Sequence, residues 1–227
     1  QQLRSLKSWC FGKLRYEWMN RIVETDSDDG INWQYMRLAD IYLMAAEAIN
    51  ELSGPGDAAV YLKPILDRAL PEDKVTAYMA KATVGRDAFF DAIVEQRAFE
   101  FAGESLRKAD LIRWNLLKTK LDEAIDKMLK LANRQAPYDN LPQKLYYKFN
   151  PDNKEALIIY GLNQGETDAI GAELVANEGY SSTDWIKADK LPESTINILY
   201  VKNPDQNQFW PIWHTFIDKS NGMLTND

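Results

Sequence analysis

Two carboxylates four residues apart, Glu100 and Glu104, are the side chains best placed by type and spacing for acid/base chemistry. A pair of carboxyl groups can hydrolyse a glycosidic bond when one is protonated and the other ionised. Their neighbours argue for a different role. On an ideal helix Arg97, Glu100, Glu104 and Arg107 share one face, and Phe90, Ile93, Val94 and Phe101 lie on or beside it. Ionised groups set in an apolar stripe are expensive to desolvate unless they pair, and this order of signs suits pairing. An adjacent arginine also lowers a carboxylate pKa, the wrong direction for a general acid. The face reads as a partly buried ion-pair network of Arg97, Glu100, Glu104 and Arg107, which Asp110 with Arg113 or Arg107 extends. No catalytic residue is assigned, and the chain is not expected to be an enzyme.

Other chemistry lacks its residues. His214 is the only histidine, so a Cys/His zinc site has no ligand set. No G-x-S-x-G elbow and no phosphate-cradling glycine loop occurs. The acidic turn over 25–30 resembles a calcium loop only faintly. Counted from Glu24, it puts Asp29 where glycine belongs and Tyr35 where the bidentate glutamate belongs. No metal and no cofactor is expected. The single cysteine, Cys10, excludes an internal disulfide framework.

The elements that must position these residues are helical. Leu38, Ile41, Tyr42, Ala45, Ala48, Ile49 and Leu52 form one stripe over 35–53. Ala39, Leu43 and Ala46 form a second, so this helix is expected to lie between neighbours on two sides. Ser53-Gly54-Pro55-Gly56 ends it. Asp57 reads as the N-cap of a following helix through Ala69, with Pro64 inside its pattern bending it or delaying its start. The two make a helical hairpin of tetratricopeptide-like character. A short helix is expected over 72–82, a long one capped by Asp87 over 88–104, and another over 106–132. Residues 133–227 are rich in Pro, Asn, Asp and Gly with short apolar runs at 157–160 and 196–200. They predict a loop-rich segment folded back over the helices, with small strands. The fold class is mainly α, a tetratricopeptide-like helical scaffold over 35–132 with a loop-rich C-terminal region.

With 227 residues, 45% hydrophobic and 27% charged, the chain can bury a sizeable core. A formal net charge of −7 opposes nucleic-acid backbones and anionic membrane surfaces. No run of eighteen apolar residues is present, and no export signal is visible at Gln1. An exported start outside this sequence is the favoured reading.

The segment Gln96-Arg97-Ala98-Phe99-Glu100-Phe101-Ala102-Gly103-Glu104-Ser105-Leu106-Arg107-Lys108-Ala109-Asp110-Leu111-Ile112-Arg113-Trp114 resembles a signature of the SusD/RagB family. Arg97, Glu100, Glu104, Arg107, Asp110, Leu111, Arg113 and Trp114 match it in register. The departures are Gln96 for Glu, Ala98 for Arg, Phe101 for Leu and Ser105 for Gly. Upstream, residues 36–48 are similar to the family's "RLAD-x-YLM-x-AEA" helix. Near the end, Phe209-Trp210-Pro211-Ile212 followed by Asn221 and Asn226 resembles its closing "PIP…N" segment, with Trp213 in place of the second proline.

The resemblance implies that residues 1–227 are the C-terminal portion of a longer SusD-like protein, lipid-anchored at the outer-membrane surface through a region outside this sequence. It implies capture of glycans, or peptides in some relatives, for uptake through a SusC-like TonB-dependent transporter of Bacteroidetes. Sugars stack on aromatic rings while their hydroxyls bond to a polar rim. On that chemistry Trp9, Trp18, Trp33 and Trp185 are candidate ligand-binding residues, whereas Trp114, Trp210 and Trp213 are read as packing. The alternatives are a tetratricopeptide-like scaffold that binds proteins or peptides, and an acidic hydrolase using Glu100 and Glu104.

Overall fold

The computed structural model describes Lys13 and residues 34–152, 156–185 and 191–226. The chain divides into two compact units, Cys10–Asp110 and a second made of Gln1–Trp9 with Leu111–Asp227. The fold is mainly helical, with one small sheet.

In the first unit, helix α1 (Leu38–Ser53) and helix α2 (Pro55–Ala69) form a tight hairpin around Gly54, whose φ of 94° is a conformation glycine adopts without strain. Helix α2 begins at Pro55, in the first turn where a missing N–H costs nothing, so Asp57 lies inside the helix and is not its cap. The helix runs on through Pro64 to Ala69. Helices α3 (Glu72–Ala82) and α4 (Arg86–Glu100) complete the packing, with α1 against both α2 and α4. Gly85 occupies the N-cap of α4 and Asp87 sits in its first turn, another departure from the expected cap. Leu43, Leu62, Leu66, Phe89 and Ile93 are fully buried and form the apolar centre.

The two long helices expected over 88–104 and 106–132 are broken up. Helix α4 ends at Glu100, helix α5 covers Arg107–Arg113 and helix α6 covers Leu117–Ala132. Gly103 and Ser105 have positive φ in the first break and Asn115 in the second. Left-handed residues cannot continue a right-handed helix.

In the second unit, strands β1 (Lys144–Phe149), β2 (Leu157–Tyr160) and β3 (Ser181–Asp184) form an antiparallel sheet with β1 in the centre. Tyr146 lies opposite Tyr160 on one side and Ser182 on the other. Helix α7 (Asp168–Glu178) packs on β1. Its N-cap is Thr167, whose side-chain oxygen accepts from the Ile170 N–H. The run 196–200 is helical and not a strand: helix α8 (Glu193–Ile196) leads into a 3-10 turn, and helix α9 (His214–Lys219) follows. A core of Ala132, Leu145, Trp185, Leu191 and Ile196 is packed by Ile125, Met128 and Leu129 of α6. The opposite face of α6 carries the pairs Lys118–Asp122, Lys120–Glu123 and Lys130–Asp126, each one helical turn apart.

Candidate functional site

The charged residues singled out from the sequence do gather in the first unit, with partners the sequence did not show. Because α4 stops at Glu100, Glu104 sits on the following turn and not on the same helical face. Its N–H bonds to the Phe101 carbonyl at 2.9 Å. The cation that joins the two carboxylates is Arg37, just before α1. Its Nε and Nη2 donate to Glu104 at 2.8 and 2.9 Å, its Nη1 donates to Glu100, and Nη2 also reaches the Glu100 carbonyl at 2.6 Å. Arg68 of α2 donates to the second Glu100 oxygen. The Lys13 ammonium donates to Glu104 Oε1 and to the Glu100 carbonyl, both at 2.6 Å.

Deeper in the unit, Arg97 does not pair with Glu100. Its Nη1 donates to Asp40 of α1 at 2.6 Å and its Nε to Asp110 at 2.7 Å. All three residues of this triad are buried. The buried Phe101 ring separates the two charge clusters, with the Arg37 and Arg97 guanidinium carbons 4.7 and 4.8 Å from its centroid, within cation–π range. Arg107 donates to the Val94 carbonyl at 2.8 Å, and the Arg113 guanidinium lies 4.7 Å from the centre of the Trp114 ring.

Burial pushes the Glu100 carboxyl up, but the hydrogen bonds from Arg68 and Arg37 outweigh it and hold the group below its usual range. Glu104 is likewise raised by burial and, more strongly in sum, lowered by Arg37 and Lys13. A carboxylate so held stays ionised near neutrality and has no proton to donate as a general acid. These depressed groups give stability that is complete above the unfolded carboxyl pKa of about 4.3 and is lost as pH falls through the lower folded values. Circular dichroism of an E100Q/E104Q variant should therefore show a weaker pH dependence below about pH 4.3 than the parent chain.

The turn that carries Glu104 has a weak point. Ser105, at the position where the family signature has glycine, adopts a φ of 61°. A side chain there pays a left-handed penalty that glycine avoids, partly offset by the greater entropy of an unfolded glycine. Ser105→Gly is expected to stabilise the chain by up to about 1 kcal/mol in urea unfolding.

The candidate tryptophans fare differently. Trp9, Trp18 and Trp33 lie outside the described residues. Trp185 is buried in the second unit's core, with the Arg134 guanidinium 5.6 Å from its ring centre, which leaves no open ring face for a sugar. Trp210 and Trp213, read from the sequence as packing, are instead 91% and 67% exposed. Their loop is fixed by Asn226. Its side chain accepts from the Ile212 N–H at 2.7 Å and donates to the Ile212 carbonyl at 2.8 Å. That pair gives a physical reason for a proline-isoleucine step and a distant asparagine to occur together. Among the described residues no group of acidic, histidine or cysteine side chains could hold a metal ion, and no helix is long and apolar enough to cross a membrane.

These features define a helical-hairpin protein whose signature charges serve as internal clamps. The model of the SusD family matches residues 12–227, and the chain belongs to that family. It is similar to SusD-like protein P25 of Formosa agariphila, 37% identical over 110 residues. That stretch covers 46% of this chain and only 20% of that protein, so the chain spans a small part of its curated relative. No solved structure matches.

Proposed function

We propose that this chain is the C-terminal portion of a nutrient-capture protein held at the outer-membrane surface by a lipid anchor, which binds glycans and passes them to a SusC-like TonB-dependent transporter. In this reading 35–132 is the helical scaffold and 133–227 a closing segment, and the protein binds its ligand without cleaving it. The observation that carries the reading is the SusD-family match along 12–227. The state of Glu100 and Glu104 supports it, since cations hold both ionised. A tetratricopeptide-like peptide-binding scaffold is the second reading, favoured by the α1–α2 hairpin alone.

A glycan and peptide screen of the full natural polypeptide tests the proposal. Saturable glycan binding, lost on replacement of one of Trp9, Trp18 or Trp33 and kept in E104Q, is the expected result. Binding of peptides with no affinity for any glycan would favour the scaffold reading and overturn the first.

A further inference from the structure

Helix α1 is apolar on two opposite faces, and only one of them is covered. Toward α2 and α4 it buries Ala39, Leu43, Ala46 and Asn50. Half a turn round the helix lie Leu38, Ile41, Ala45, Ala48 and Leu52, alternately three and four residues apart. Leu38 and Leu52 are 68% and 81% exposed, Ile41 is 47% exposed, and Ala48 is also exposed. A row with this spacing runs straight along the helix for roughly 21 Å at 1.5 Å per residue. It is the seam pattern by which one helix packs against another. The two alanines in its middle let a partner backbone approach closely, and the larger side chains close over it at both ends.

We infer that the outer face of α1 is a helix-packing seam, occupied by an α-helix from the part of the natural polypeptide outside this chain. Two observations select that occupant. The three-four spacing matches the ridge of an α-helix, whereas a strand would require alternation and a sugar would require aromatic faces. Further, the 110 residues shared with the curated relative are only 20% of it. Proteins of this kind thus carry several hundred residues from which such a helix can come. In stacked helical hairpins each unit leaves one apolar face for its neighbour, and α1–α2 is a hairpin with such a face. The inference does not depend on which ligand the protein binds.

Thiol accessibility tests it. In a C10S background, which removes the only native thiol, Ala48→Cys and, separately, Leu52→Cys are labelled with a maleimide under native conditions. In this 227-residue chain both should react as freely as an exposed thiol. In the full natural polypeptide both should react at least tenfold more slowly, and urea should restore the rate. Equal reactivity in the two proteins would overturn the inference. So would protection already present in the 227-residue chain; if that protection grew with concentration, a second copy would be the occupant instead.

Discussion

Replacing Arg97 with methionine is expected to destabilise the chain by about 3–5 kcal/mol. The guanidinium is 4% exposed and bonded to Asp40 at 2.6 Å and Asp110 at 2.7 Å. Methionine fills much the same volume, so lost packing is a small part of the change. The larger part is that two carboxylates would remain buried without their shared cation. Protonating or exposing either of them then opposes folding. The comparison that isolates this effect is the triple variant D40N/R97M/D110N, in which no buried charge is left uncompensated. It should lose much less stability than R97M alone in chemical denaturation. Equal losses would mean that the triad acts through shape and not through charge.

The second large effect belongs to the sheet-bearing unit. A methyl group at Gly171 would stand 2.1 Å from the Tyr146 ring, well inside van der Waals contact. Gly171 does not have a left-handed φ, so the requirement is for space and not for backbone freedom. The ring cannot simply swing aside, because its hydroxyl donates to Asp168 at 2.9 Å while the same carboxylate accepts the Gln143 N–H. Burial, then the Asp168 bond, pushes the Tyr146 phenol up to about 12, consistent with a neutral, firmly held donor. Gly171→Ala is therefore expected to shift α7 off β1 and cost about 1–3 kcal/mol in urea unfolding, with Gly171→Val worse. In a double-mutant cycle, G171A should cost less when Tyr146 is already leucine.

Much of the first unit was legible because its signals are local. The stripes of α1, the Gly54-Pro55 stop and the span of α3 follow from spacing and turn chemistry alone. The charge-bearing residues were legible too, since ionised side chains beside Ile93, Val94 and Phe101 must find partners. Which partners they find was not. The helical-face argument needs one continuous helix, and Gly103 and Ser105 break it before Glu104. Arg37, Arg68 and Asp40 reach the site only through the packing of α1 and α2 on α4, contacts of long sequence separation that no local pattern carries. Helix α7 was hidden for another reason. Ala169, Ile170, Ala172, Leu174, Val175 and Ala176 are spread around it and leave no stripe. Its clearest sequence mark was the Thr167 cap. Exposure is the hardest property to read: the motif around Trp210 and Trp213 says that the loop is specified, and only the structure shows their rings turned outward.

The central claim, capture without turnover, is tested most directly by titrating candidate glycans into the full natural polypeptide by calorimetry and assaying the same sample for new reducing ends. The account predicts saturable binding, no reducing ends, and unchanged affinity in E100Q and E104Q. Reducing ends that accumulate with the parent protein and vanish in E100Q would contradict it.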